Sequence, residues 1–309
     1  MTPSPFVSVI IPNYNRQTLV ATAIESVLSQ TWHDFELLVV DDGSRDDSLA
    51  VIKGFQDGRV RCLTHASNQG LAAAWNTGVT AAQADLIAFL DSDDTWHPEK
   101  LQEQVEFMQQ HPVIAGCTTG YVHMRLDGKR EVIPAQKDAE FQNILFRNIL
   151  HMGTTLMVRR HIFEQTGLFD EQLRRGQDTD WLLRFRRVGG LHVVQKPLAI
   201  IVQHTQHSAA ILEQARINMV EKHWATLQSY GKVFARRKIA SMWADVAYQY
   251  EREGNREKMR QYAAKSIASF PFQAPGIYLI LIDGCLGWRL KQQATRLKRI
   301  LKTRFGRHL

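Results

Sequence analysis

Cysteine is scarce in this sequence. Cys62, Cys117 and Cys285 are an odd number without metal-binding spacing, which argues against a disulfide framework and predicts reduced thiols in a cytosolic protein. Long apolar runs are also missing: Phe6 to Ile11 is too short for a signal core or a membrane span, and the opening residues carry no basic leader. No repeat or low-complexity tract interrupts the 309 residues, whose 44% apolar fraction is ordinary for a globular chain long enough for two domains. Two nucleotide-binding signatures are absent as well. The first strand-helix turn lacks Gly-x-Gly-x-x-Gly, and Gly-x-x-x-x-Gly-Lys-Ser/Thr occurs nowhere. A nicotinamide dehydrogenase or a P-loop enzyme uses one of them to bring backbone amides against phosphates, so this chain must hold phosphate another way. Finally, acidic residues are missing from one end. Arg289, Lys291, Arg296, Lys298, Arg299, Lys302, Arg304 and Arg307 follow one another without an Asp or Glu among them. They outnumber the net charge of +7, so the rest of the chain is close to neutral.

What is present is organised around Leu86-Ile87-Ala88-Phe89-Leu90-Asp91-Ser92-Asp93-Asp94. Five apolar residues bounded by polar ones read as a strand buried on both faces, and the strand runs directly into three carboxylates. Side chains two apart in extended chain point the same way, so Asp91 and Asp93 can face one spot. Like charges that close repel, and a divalent cation relieves them. Hard oxygen ligands on an open loop suit Mg2+ or Mn2+ with positions left for substrate phosphates. Asp94 reads differently: with Thr95, Pro98 and Glu99 it has the composition of a helix start and is expected to cap one.

Strand and helix patterns alternate ahead of that stretch. Val7 to Ile11, Phe35 to Val40 and Arg59 to Leu63 read as strands, separated by helices from about Thr18 to Ser29 and Asp47 to Phe55; an alanine-rich helix follows from Leu71 to about Ala82. The alternation predicts right-handed crossovers and a parallel sheet with helices on both faces. Ligands of such sheets sit outside the carboxyl ends of the strands, where the polar clusters fall. Asp42 ends the second strand beside a Gly-Ser turn, placed to accept hydrogen bonds from a base or ribose edge, with Tyr14 offering a stacking face; turn chemistry alone also accounts for Asp-Gly-Ser.

In this order and on these elements, Val7-Ser-Val-Ile-Ile-Pro-Asn-Tyr-Asn-Arg16, Asp41-Asp-Gly-Ser-Arg-Asp46, Asn68-Gln-Gly70 with Asn76-Thr-Gly78, and Asp91-Ser-Asp-Asp94 resemble the successive motifs of family 2 glycosyltransferases. The resemblance covers residues 6 to 208. It implies a GT-A fold, a Rossmann-like mixed α/β sheet flanked by helices, over residues 1–208, and inverting transfer from a nucleotide-sugar donor. It further implies a donor site at Pro12, Tyr14, Asp42, Asn68, Ser92 and Asp93, and a metal, Mn2+ or Mg2+, at Asp91 and Asp93. His204, after a strand-like Leu198 to Gln203, resembles a family position that approaches the metal or the diphosphate. Further strands are expected at Ile114 to Tyr121, Glu131 to Ile133 around an Asp127-Gly128 turn, and Thr155 to Arg159, with a short helix from Arg160 to Thr166. Gly176-Gln-Asp-Thr-Asp-Trp-Leu-Leu-Arg184 then resembles the acceptor-side signature, which makes Asp178 the catalytic base. Two departures stand out. Gln177 replaces the family's Glu, and Trp75 occupies a position where many relatives carry arginine; on a helix it is expected in the core.

Residues 209–309 read as a helical extension. Ala244 to Glu253 and Arg256 to Ser269 form a helix pair similar to one tetratricopeptide unit, and Ile277 to Trp288 is apolar but interrupted by Asp283 and Gly284. The last helix lines up Leu290, Ala294, Leu297, Leu301 and Phe305, with basic residues around them. Two readings remain open for it: a helix lying on an anionic membrane, or a core helix with a solvated basic face. Lipid-linked acceptors, frequent in the family, favour the first and a place at the inner face of the cytoplasmic membrane. Nucleic acid is not an expected partner, since no aromatic platform accompanies the charge. The function expected is sugar transfer from a UDP-sugar to a glycan or lipid-linked acceptor, as in cell-surface polysaccharide synthesis. Its rival is an inactive nucleotide-sugar-binding protein whose helices act as a scaffold, a reading that Gln177 and Trp75 keep open.

Overall fold

A computed structural model describes residues 5–125, 127–134, 151–185, 187–202, 208–271 and 277. The chain divides into two compact units, residues 1–205 and 206–309.

The first unit is built on one mixed sheet. Strands β1 (Val7–Asn13), β2 (Phe35–Asp41), β3 (Val60–Thr64) and β4 (Leu86–Phe89) run parallel in the order β3-β2-β1-β4. Every residue of β1, β2 and β4 is buried, as their apolar content requires of strands covered on both faces. Helices α1 (Val20–Leu28), α2 (Ser48–Lys53) and α3 (Leu71–Ala81) connect them. α1 buries Val20, Ala23, Ile24 and Val27, one helical stripe. α3 comes so close to β1 that a Cβ on Gly78 would lie 2.5 Å from the Ile10 side chain, which is why a residue without one stands there.

Beyond β4 the direction changes. The two-residue β5 (Thr95–Trp96) pairs antiparallel with the 12-residue β9 (Leu191–Val202), β9 runs parallel to β6 (Gly116–Met124), and β8 (Met157–Arg159) joins β6 to β4 in antiparallel sense. β7 (Arg130–Ile133) makes a hairpin with β6. Helices α4 (Lys100–Gln110), α5 (Met152–Thr155), α6 (Ile162–Thr166) and α7 (Gln177–Phe185) complete the unit. The sheet is therefore mixed rather than uniformly parallel, with helices flanking it. Two local expectations fail. Thr155 closes the short helix α5 instead of opening a strand, and Asp94 caps nothing, because α4 begins only at Lys100 with Glu99 as its N-cap.

The second unit comprises α8 (Ala209–Ser229), α9 (Lys232–Arg252) and α10 (Arg256–Ser269). The expected pair is present, its first member starting earlier than Ala244, and Asn255 caps α10 by accepting a 3.1 Å bond from the Lys258 N–H. Ala209, Val246, Ala247, Tyr250, Met259, Tyr262 and Ala263 form its core. No helix among the described residues is long and apolar enough to cross a membrane. His204 and the basic segment from Arg289 lie outside the described residues.

Candidate active site

Strand register brings the polar clusters level. Asn13 pairs with Asp41 across β1 and β2, and Ile10 pairs with Phe89 across β1 and β4, so the 91–94 loop leaves the sheet beside the end of β1. Asn13 Nδ2 donates to Asp41 at 3.0 Å, Asn15 N to Ser44 Oγ at 3.0 Å, and Arg45 N to Asn15 Oδ1 at 2.8 Å. These cross-bonds fix the two loops that follow β1 and β2. Pro12, within β1, is buried, and Tyr14, the first residue after the strand, is 37% exposed.

Asp42 is buried and serves its own chain. Its carboxylate accepts from Gln69 N and Gly70 N, each at 2.8 Å, from Asn68 Nδ2 at 2.9 Å, and pairs with His65 Nδ1 at 2.7 Å. His65 in turn meets Thr77 Oγ1 at 2.8 Å on α3. Asp42 and Asn68 are thus brought together, as partners of each other. A base or ribose edge could bond Asp42 only by displacing one of these donors.

The acidic loop is the opposite case. Asp91 and Asp93 are half-buried, Ser92 and Asp94 buried. Burial first, then the charges of Asp94, Asp93 and Asp178, hold the Asp91 carboxyl well above the usual carboxylate range. No donor among the described residues bonds that carboxylate; the backbone of Gly153 abuts it so closely that a Cβ there would lie 2.6 Å from both oxygens. Asp93 faces Arg16, with 3.6 Å between carboxylate and guanidinium.

Sequence reasoning missed what Asp94 does. Its carboxylate accepts from the Thr154 hydroxyl and, at 3.0 Å, from Val202 N, tying the end of β4 to α5 and to the end of β9. Burial raises it to about 7, with those bonds opposing and Asp93 adding. Beneath it the Trp96 indole donates to Thr154 O at 2.7 Å, and Gln104 Nε2 to Thr155 O at 3.1 Å. No local pattern announces these partners, which come from residues about sixty and one hundred positions away. The only local signal is a third acid beside the Asp91 and Asp93 pair.

Asp178 lies half-buried in the first turn of α7, where it accepts from Thr179 N at 2.7 Å. Behind it Asp180 is fully buried and paired with Arg184 at 2.7 Å, while Trp181 packs on Phe163 and Phe169 and donates to Gly167 O at 3.2 Å. Gln177 is buried. Trp75 joins the same aromatic core, 4.8 Å from Phe169, and Asn76 pins that loop by bonding Phe169 N and O, each at 2.9 Å. Asp178 is therefore held on a rigid element, and its charge reaches both Asp91 and His151. Among the described residues no three His, Cys, Asp or Glu side chains are arranged to enclose a metal by themselves.

The model of glycosyl transferase family 2 matches residues 8–167. An uncharacterized glycosyltransferase of Rickettsia typhi is 27% identical over 265 residues, 81% of each chain. TuaG of Bacillus subtilis, whose name assigns it to teichuronic acid biosynthesis, is 34% identical over 58% of this chain and 71% of its own. Among solved structures, S. aureus TarS residues 1–349 in complex with UDP superposes with a TM-score of 0.61 at 17% identity, covering 86% of this chain and 81% of that one. The mannosyltransferase PcManGT of Pyrobaculum calidifontis, in complex with GDP-Man and Mn2+, gives 0.57 at 18% identity, covering 95% and 84%. Both share the fold.

Proposed function

We propose, on the premise that the chain belongs to glycosyl transferase family 2, that it transfers a sugar with inversion from a UDP-sugar to a hydroxyl of a glycan or lipid-linked acceptor. The observation that supports the reading is that the charge of Asp178 adds to those of Asp94 and Asp93 on Asp91, so that the proposed base and the proposed metal ligands lie near one another. The UDP of one structural neighbour and the GDP-Man and Mn2+ of another agree with a nucleotide-sugar donor and a divalent cation. TuaG supports a place in cell-surface polysaccharide synthesis.

The donor set fits such a cation: Asp91 and Asp93 offer hard carboxylate oxygens on a loop whose carboxyls repel one another, and two protein ligands leave positions for phosphate oxygens. When bound, it neutralises charge that develops on the departing diphosphate. Tyr14 offers its exposed ring to the base. Pro12 and Ser92, both buried, belong to the same proposed donor site, and the Asp42 and Asn68 pair holds the adjoining loop in place. Asp178 takes the proton from the acceptor hydroxyl as that oxygen bonds the anomeric carbon and the carbon–phosphate oxygen bond breaks on the far side. One backside displacement inverts the centre, giving a beta-linked product from an alpha-linked donor. His204 is proposed to approach the same diphosphate. The basic segment from Arg289 supports work at the cytoplasmic face of an anionic membrane.

Calorimetry with UDP and Mn2+, set beside product formation, tests this. Asp178→Asn should keep nucleotide binding while transfer falls about a thousandfold. Asp93→Ala should lose the Mn2+-dependent part of binding. Retained turnover in Asp178→Asn removes that residue from the role.

A further inference from the structure

Arg16 meets the acidic loop from a backbone that is fixed without help from its side chain. The residue before it, Asn15, takes a φ of +51°, in the left-handed region that asparagine tolerates better than most, and is held there by its bonds to Ser44 and Arg45. Arg16 N donates to Ser48 Oγ at 3.0 Å, and the Arg16 carbonyl accepts from Leu19 N and Val20 N, each at 2.9 Å, at the entry to α1. Gln17 N donates to Asp46 at 3.1 Å. None of these bonds uses the Arg16 side chain, so the loop keeps them whatever side chain stands at that position.

The guanidinium itself is held loosely. Its Nε lies 3.6 Å from the Asp93 carboxylate and Nη1 donates to Asn15 O at 3.4 Å, both long for a hydrogen bond, and the side chain is 41% exposed. A cation on a rigid root, with most of its five donors unspent among the described residues, can neutralise a carboxylate and leave it again at small cost. The carboxylate it faces is the one assigned above to Mn2+ or Mg2+. Guanidinium and divalent cation carry charge of one sign toward one group, so each opposes the other there. A diphosphate changes that balance, because its oxygens match the fork of an arginine and give the displaced guanidinium a new partner.

We propose that Arg16 competes with the metal for Asp93, and that the diphosphate of the donor resolves the competition by drawing the guanidinium to itself, so that cation and nucleotide bind cooperatively. The proposal rests on the glycosyltransferase reading above, with Asp93 as a metal ligand. It assigns Arg16 to the coupling between metal and donor and leaves the proton transfer to Asp178.

The test reads binding alone, on the full chain at fixed ionic strength: Mn2+ through the loss of its free-ion electron spin resonance signal, and UDP by calorimetry with and without Mn2+. In Arg16→Met, Mn2+ without nucleotide should bind about fivefold more tightly, while UDP in the presence of Mn2+ binds about tenfold more weakly. Opposite signs are what a merely structural residue would not produce, since a disturbed loop weakens both ligands. Arg16→Lys, which keeps the charge without the fork, should restore the wild-type affinity for Mn2+ and recover only part of that for UDP. An affinity for Mn2+ that is unchanged or lowered in Arg16→Met, or an unchanged affinity for UDP, would each overturn the proposal. A wild type that binds UDP equally well with and without Mn2+ would overturn it too. A wild type that binds no UDP under either condition would instead overturn the transferase reading, and this proposal with it.

Discussion

Two groups of carboxylates in this chain, one in each unit, are built on opposite rules. In the helical unit Glu213 accepts from the Tyr250 hydroxyl, from the Tyr262 hydroxyl at 2.6 Å and from Lys258 Nζ at 3.0 Å. Burial alone would raise it, but these bonds outweigh burial and leave it below the usual carboxylate range. In the sheet unit Asp91 has burial and three like charges all pushing the same way. A carboxylate surrounded by donors stabilises the helices that supply them. One surrounded by carboxylates destabilises the fold when ionised and is relieved by a proton or by a ligand that brings positive charge. The contrast is the one expected between an acid that holds helices together and the metal ligand proposed above. Asp42, with its ring of donors, falls on the structural side although the family resemblance places its motif at the donor site.

The sharpest way to break the contrast is Asp91→Asn. Removing one of several like charges should raise the melting temperature of the metal-free protein at pH 8 by a few degrees, while Mn2+-dependent UDP affinity falls by about a hundredfold or more. A mutant that loses both would place Asp91 with Glu213. The counterpart, Glu213→Ala, strands two tyrosine hydroxyls and an ammonium among three helices. It should cost the helical unit about 3 kcal/mol in denaturant unfolding, with the affinity of the sheet unit for UDP unchanged.

Acidity should pull the two groups apart as well. A raised carboxyl keeps its proton in the folded protein where the unfolded chain has already lost it, so the stability it confers is present at acid pH and is lost as pH rises through the folded value. For Asp94 that value is about 7. Glu213 is depressed, so its contribution is present above the ordinary carboxylate range and is lost as pH falls through it. Metal-free protein should therefore melt about 5 °C lower at pH 8.5 than at pH 5.5, and Mn2+ with UDP should shrink the difference. A melting temperature that climbs steadily over this range would contradict the raised values.

Legibility in the sequence follows the same division. The four parallel strands, the helices between them and the place of the acidic loop could be read because each is a local pattern: an apolar run of strand length, a helical stripe, a polar turn at the strand end. The antiparallel half was harder. β5 has two residues and no period to detect, and β9 runs through Lys196 and Pro197. Buried polar residues were the least legible. Lys100 is fully buried over the Trp96 ring at 3.9 Å and bonded to Gln104 at 2.5 Å, though both belong to residue types that normally face water. Asp94 looked like a helix cap because its true partners, Thr154 and Val202, are distant in sequence. At the candidate site, the residue types could be read from the chain, while the neighbours that surround them, Gly153 against Asp91 and Thr154 on Asp94 above all, could not.

The smallest expected effect tests whether the Glu213 cluster is truly over-satisfied. Lys258 is its most exposed member, with 41% of its side chain open to solvent, and it contributes a bond that water can replace. Lys258→Met should cost only ~0.5 kcal/mol, since both tyrosines still donate to the carboxylate and the methionine stem retains the packing. Tyr262→Phe removes instead a buried donor that no water can replace, and should cost about 1.5 kcal/mol. If the two losses come out equal, the ammonium rather than the hydroxyls holds Glu213 ionised. The helical cluster would then depend on a single countercharge, as the acidic loop is proposed to do, and the difference between the two groups would be one of occupancy rather than of design.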